Sequence, residues 1–541
     1  MIALPVVSFP LLYAETHYRF KYFFSFLKKA EPEILADIPH RLEPSASLPV
    51  LLLVKDSNRY PIELSNAKIE IRQEGKLLYA DTIAVSCKIA IPLWWKIISI
   101  PFDDQLKNIF GFINVDVYFD YVVRGEHRSA KNDNYRTSSK TSLRVYRSAD
   151  PLPLFVGWNQ GDTHTHSSYT DDQVEFGSPI EASVELSKAM GLSFFCVTDH
   201  SYDLDDCIDN FLVNDPEIPK WRSQQQNIDE INSQHNDFTI VRGEEVSCSN
   251  HAQRNVHLLL WGTKKFFAGS GDSAERWFRT ASENTIGDIL SNKEDHVVAY
   301  AGHPTEATPF FQWLLIKRGT WDFNDMDQNG LAGLQVLNGD ANQAFSKGLE
   351  SWTRLLLRGR KIFIAAGNDA HGNFNRFKQI GIPFFTIREN GRQLFGKMRT
   401  AVNSDSLTET SLLEALRDGH TVITNGPLIV FTITNESGKT AAIGETISGA
   451  RLQLHIRGLT TKEFGAFCEL KIIFGRIGTG SEVVRMKKQI LNLFTLDMRI
   501  DFEVCTYQVS SYIRIEGFAS HSADGGTSGF CYTNPIWIRH S

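Results

Sequence analysis

SPIEASVELSKAMGLSFFCVTDH, residues 178–200, carries the signals that decide the fold class. Its first half has the marks of a helix. Ser178 and Glu181 match a capping box, Pro179 falls in the first turn, and Gly191 is a stop. Its second half, LSFFCVTDH, is a short apolar run that ends in Asp199 and His200. A strand that follows a helix so closely implies parallel strands with helical crossovers. SLLEALRDGH repeats the cap logic with Ser411 and Glu414 and closes on Gly419. Residues 155–426 therefore read as an α/β sheet or barrel.

The flanks read differently. In residues 1–154, AKIEIRQEGKLLYA and FINVDVYFDYVV alternate apolar and polar side chains through Ile69, Ile71, Ile113, Val115 and Val117. Period-two patterning between short turns predicts antiparallel strands in a sandwich. The polar stretch 125–142 predicts an exposed hairpin or loop. Residues 427–541 return to alternation in LQLHIRGL, SSYIRIEGFA and YTNPIWIRH, which predicts a second β-sandwich-like domain.

Composition narrows the class. The 541 residues are 42% hydrophobic and 22% charged, with a net charge of −7, ordinary for a globular chain. That balance argues against a duplex nucleic-acid partner, which needs a clustered basic face. Seven cysteines, Cys87, Cys196, Cys207, Cys248, Cys468, Cys505 and Cys531, include no CxxC pair. Neither a disulfide framework nor a zinc ribbon is indicated, and a reducing, cytoplasmic compartment is expected. The opening MIALPVVSFPLLYAETHYRFK is interrupted by Pro5 and Pro10 and lacks a preceding basic residue. It reads as a first strand, with secretion left open. No apolar run of about 18 residues predicts a membrane span.

Within 155–426, ligand-type residues recur at strand ends. GDTHTHSSYTDD (161–172) places His164 and His166 two apart, on one face of a strand, among Asp162, Asp171 and Asp172. FTIVRGEEVS supplies Glu244 or Glu245, NVHLLLWG supplies His257, HVVAYAGHP supplies His303, and KIFIAAGNDAHG supplies Asp369 and His371. Side chains at the C-terminal ends of parallel strands converge on one site, where a core would prefer Val, Ile and Leu. An all-nitrogen and oxygen donor set suits zinc, manganese or iron. Several such ions together attract a phosphate and activate water, which points to metal-assisted hydrolysis. His235, His251 and His296 read as surface residues, and the acidic run Asp203, Asp205, Asp206 and Asp209 as a solvated loop.

HxH with a later acid, then TDH, a Gly-x-Glu turn, VH, GHP and DAH, in this order, resemble the PHP family, named for polymerase and histidinol phosphatase, over about residues 158–426. The resemblance implies a distorted seven-stranded β/α barrel, here flanked by β-sandwich-like regions, with two or three divalent ions. It implies His164, His166, Glu245 and Asp369 at a first ion. It implies Asp171, His200 and His371 at a second, and Glu245, His257 and His303 at a third. Glu245 is selected over Glu244 because the family's Glu is the second residue after Gly243. Asp162 and Asp199 would orient the imidazoles from outside. ALRDGHTVITNGP and YTNPIWI resemble the CehA/McbA branch of the family, which includes a carbaryl-hydrolysing enzyme.

The expected activity is hydrolysis of a small, anionic phosphoester by a hydroxide bridging two ions. Carboxyl-ester or carbamate hydrolysis stands beside it. His257, His303 or solvent would protonate the leaving group, and Arg376 or Arg254 would bind substrate oxygens. A scaffold with a structural metal site is the rival from another class, and a nuclease acting on strand ends is the weaker third. The segments 201–220 and 310–323 look like additions, each either a pocket wall or a packed excursion. Substrate, native metal and oligomeric state are not legible in the sequence.

Overall fold

The alternation of Ile69 and Ile71 becomes a strand, Ile62–Gln73, whose apolar side chains are buried. It pairs antiparallel with Gly111–Val123, setting Ile69 opposite Val117 and Ile71 opposite Val115. Across from this sheet lies a second of three strands, Glu33–Asp37, Leu48–Lys55 and Leu93–Ile100. Their inner faces share one core, in which Val50, Leu52 and Val54 meet Ile69, Val115 and Val117. Leu48–Lys55 is apolar on both faces. Leu51 points the other way and packs with Ile180, Val184 and Phe195, which fastens this region to the one that follows.

This computed structural model describes residues 31–103, 106–135, 140–171, 177–208, 210–273, 280–376, 379–382, 385–388, 393–503, 510–520 and 528–539. The strand expected near the N-terminus, and Asp172, Asp209 and Cys505, lie outside the described residues. Among those residues no helix is long and apolar enough to cross a membrane.

Two sheets organise residues 155–426. Trp158–His166 and Phe194–Val197 run parallel, as do Phe194–Val197 and Thr239–Val241. Arg399–Asn403 joins the other edge of Trp158–His166 antiparallel, and Thr421–Thr424 follows. The second sheet orders Gly243–Ser249, Asn255–Trp261, Val298–Ala301, Gly333–Asn338 and Phe363–Gly367. Helices Ile180–Ala189, Pro219–Gln234 and Gln343–Leu357 supply crossovers.

The expected seven-stranded β/α barrel is overturned. Strand is the dominant element, helix is minor, and no strand pairing among the described residues closes a ring. Two physical causes are visible. Gly243–Ser249 and Asn255–Trp261 are antiparallel, joined by a turn too short to hold a helix. Thr421–Thr424 finds its outer partner in Phe530–Thr533, so its edge is satisfied by the C-terminal region. The first sheet thus continues through Ser511–Ala519 and Phe467–Arg476 to Val483–Leu493.

The caps also differ from expectation. Ser178 does not cap Ile180–Ala189, which starts after Pro179 without a side-chain cap. Thr408, not Ser411, caps Glu409–Asp418 by accepting from the Ser411 N–H. Gly419 ends that helix in the left-handed conformation, as its position requires.

Candidate metal centre

The strand Trp158–His166 delivers both histidines of HTH to one face. The intervening Thr165 and the preceding Thr163 turn away, their hydroxyls donating to the carbonyls of Cys196 and Ala366. Gly367 makes room for this strand, since a Cβ there would lie 2.6 Å from His164 Cβ. The chain then turns at Asp369, which takes a left-handed backbone (φ 52°), and pairs Ala370–His371 alongside Thr165 and His166. Asp tolerates that conformation better than most residues. Glu245 lies on Gly243–Ser249, and His200 forms an isolated parallel bridge with it.

Four donor atoms converge from these elements. His164 Nε2 is 3.3 Å from Glu245 Oε2 and 3.4 Å from Asp369 Oδ1. His166 Nε2 is 3.4 Å and 3.0 Å from the same two oxygens. All four residues are buried. Ligand bonds of about 2.0–2.1 Å in a tetrahedron give edges of about 3.3–3.4 Å, close to these separations. His164 Nε2, His200 Nδ1 and Glu245 Oε2 are buried atoms that make no hydrogen bond. Orphaned polar atoms facing one another are costly unless something bridges them. The buried set His164, His166, Glu245 and Asp369 can therefore hold a metal ion, as can His166, His200 and His371, or His200, Glu245 and His257.

The electrostatics agree. Burial opposes charge on His164, but the Glu245 and Asp369 carboxylates hold its pKa up at about 9. Burial likewise works against Glu245 and Asp369, yet the facing imidazoles pull both well below the usual carboxylate range. Burial, then the neighbouring His166, drives His371 far down, which favours the neutral imidazole that metal binding requires.

The outward nitrogens are fixed by residues with no sequence signature. His164 Nδ1–H donates to Gln335 Oε1 at 2.8 Å. His166 Nδ1 lies 3.4 Å from Thr170 Oγ1, which donates to Asp199. His257 Nε2 lies 3.0 Å from Asp272 Oδ2, and Ser247 donates to the other oxygen. Such partners set ring orientation and tautomer. Asp162 and Asp199, expected to do this directly, brace backbone and loop instead. Asp162 accepts from the N–H groups of His164, Asn368 and Gly396. Asp199 accepts from Ser167, Thr170 and Gln224.

Several expected residues stand elsewhere. Asp171 is not gathered into the donor sets; its carboxylate pairs with Lys55 of the N-terminal region. Lys55 is buried there, and the ion pair draws the Asp171 side chain toward it. His303 Nε2 is 3.1 Å from Glu245 Oε1, yet His303 joins none of the donor sets among the described residues. Arg376 faces Asp37, 3.8 Å away, rather than the metal donors. Arg254 donates to the Trp313 carbonyl and covers its ring. The buried cation beside the donors is Arg318, unrecognised in the sequence. Asp203 and Asp206, expected to be solvated, are 2% and 0% exposed, and Lys220 approaches Asp206 at 3.6 Å. His251 is exposed, as expected, and pairs with Asp322 and Asp325, the capping box of a short helix.

No protein-family model and no curated protein matches the chain. Among solved structures, the chain is similar to a β-glucuronidase of Parabacteroides merdae at 8% identity, over 95% of this chain and 64% of that one, with a TM-score of 0.17. It is similar to a Salmonella alpha-2-macroglobulin at 9% identity, over 99% and 24%, with a TM-score of 0.17. A cycloisomaltooligosaccharide glucanotransferase of a Paenibacillus species aligns at 9% identity over 93% and 71%, with a TM-score of 0.18. The chain thus spans 64% of the glucuronidase and 24% of the macroglobulin. Likenesses this distant carry no argument, and the donor geometry stands as the finding.

Proposed function

We propose that the chain is a metal-dependent hydrolase of the PHP type in its donor series, acting on small anionic esters, phosphoesters first. One observation carries this reading: the buried set of His164, His166, Glu245 and Asp369, which shares His166 with His200 and His371. When bound there, zinc, manganese or iron supplies Lewis acidity and activates water. The protein's own part is to hold a buried donor set whose two carboxylates are already ionised. Glu245 and Asp369 stay ionised, and the outward N–H of His164 is pinned by Gln335. This preorganisation avoids rearrangement as charge develops on the substrate. His303, the most exposed of the histidines around Glu245, is placed to hand a proton to a leaving group.

The test is to purify the full chain without a metal-binding tag, quantify metals, and assay phosphomonoesters, phosphodiesters, carboxyl esters and carbamates. We expect bound divalent metal and turnover of phosphoesters, with Asp369→Ala losing more than about hundredfold. Absence of metal after reloading, or an Asp369→Ala activity within threefold of the parent, sinks the reading. Full loading with no turnover of any ester favours a scaffold.

A further inference from the structure

The resemblance implies a third ion among Glu245, His257 and His303, and the structure puts something else there. Glu245 Oε1 faces His257 Nδ1 at 2.7 Å and His303 Nε2 at 3.1 Å. Into this arrangement comes Arg318. Its Nη2 lies 3.5 Å from His257 Nδ1 and its Nη1 3.5 Å from Asp272 Oδ2. The guanidinium is a permanent cation that only donates hydrogen bonds, so Nη2 sets a fixed positive charge beside the nitrogen a third ion would need, a nitrogen that already faces the Glu245 carboxylate. An ion bound to Nδ1 at about 2.1 Å would sit within about 6 Å of Nη2. Two like charges that close, in a water-poor site, repel strongly.

The aim of Arg318 is fixed by its backbone. Asn255 N–H donates to the Lys317 carbonyl at 3.0 Å and Gly319 N–H donates to the Asn255 carbonyl at 2.8 Å. Asn255 Nδ2 holds the Ile316 carbonyl, and Trp321 Nε1 donates to the His257 carbonyl. Gly319 has to be small, since a Cβ there would lie 2.5 Å from Arg254 Cβ. The segment is thus laced along the strand that carries His257. A second constraint comes from His200. Its Nε2 is 3.3 Å from His371 Nε2, and its Nδ1 is 3.1 Å from Glu245 Oε2. A neutral imidazole has one lone pair. If Nε2 serves the set with His166 and His371, His200 has no second lone pair to give another ion.

We propose that this centre takes two divalent ions and that the guanidinium of Arg318 provides, in place of a third, the fixed positive charge beside Glu245 and His257. The inference rests on reading the cluster as a metal centre. The full chain is stripped with chelator and saturated with manganese. After unbound metal is removed, ions per chain are counted by plasma mass spectrometry. The expected counts are two for the parent, two for Arg318→Lys and three for Arg318→Gln, with Arg318→Met used if the amide variant does not fold. Three ions in the parent, or two in the neutral variant, overturns the role of Arg318 while leaving the metal centre intact. One ion in the parent overturns the count of two, and none overturns the metal-centre reading itself.

Discussion

Gln335 shows how much of this candidate centre depends on residues outside the donor sets. Its Oε1 receives His164 Nδ1–H at 2.8 Å and the His303 backbone N–H at 3.2 Å, while its Nε2 donates to Asn338. Gln335→Ala is therefore expected to weaken metal affinity about 10- to 100-fold, measured by chelator competition, because His164 loses the partner that sets its tautomer. Unchanged affinity would mean that packing alone orients the ring. Asp171→Asn gives the contrasting result. Its carboxylate pairs with Lys55, not with the donor sets, so metal content should stay that of the parent; loss of one ion would return Asp171 to the centre. At this scale the candidate donors were legible because HxH has the two-residue spacing of a strand face and the others fall at the ends of apolar runs. Gln335, Asp272 and Arg318 were not, since their roles come from elements distant in sequence. His164 meets Gln335 only after the two sheets stack.

The turn after His371 depends on another region of the chain. Asp37, at the end of Glu33–Asp37, is buried and accepts the backbone N–H groups of Phe374, Asn375 and Arg376. Burial outweighs those donors and the nearby Arg376, raising its pKa from 3.8 to about 6. An acid with a raised folded pKa binds its proton more readily folded than unfolded. Between about pH 6 and pH 4 the native state holds the extra proton, so this group adds stability as pH falls and withdraws it as pH rises through about 6. Two units correspond to about 3 kcal/mol. Urea unfolding of metal-free parent and Asp37→Asn should show the parent gaining on the variant by up to that amount from pH 7 to pH 4. Parallel pH profiles would show that Asp37 does not titrate in this window. The clasp was invisible in the sequence, where Asp37 is one acid in an apolar strand. Helices were placed better than their caps: Pro179 and Gly419 mark Ile180–Ala189 and Glu409–Asp418, but hydroxyl choice at the first turn depends on which N–H groups remain unpaired.

Across the whole molecule, the expectation of a closed barrel failed where strand edges find their partners. Period and strand-end chemistry identify strands and helices, but which edge pairs with which is decided by long-range contacts that no local pattern encodes. Thr421–Thr424 illustrates this. Its neighbour on one side is Arg399–Asn403, and on the other is Phe530–Thr533, more than a hundred residues along the chain. Asn534 locks that junction. Its Oδ1 accepts the Ile364 N–H at 3.0 Å, and its Nδ2 donates to Thr421 Oγ1 at 2.6 Å. It is fully buried and joins the second sheet, through Phe363–Gly367, to the middle of the first. Asn534→Ala leaves the Ile364 N–H unpaired in the interior, a cost of about 2 kcal/mol. Because Phe363–Gly367 runs directly into Asp369 and His371, the same substitution should loosen the metal centre from a distance. A lower melting temperature that recovers on adding excess manganese is expected, since an ion binding the folded form restores stability by mass action. Equal destabilisation with and without metal would show that the junction and the centre are energetically independent.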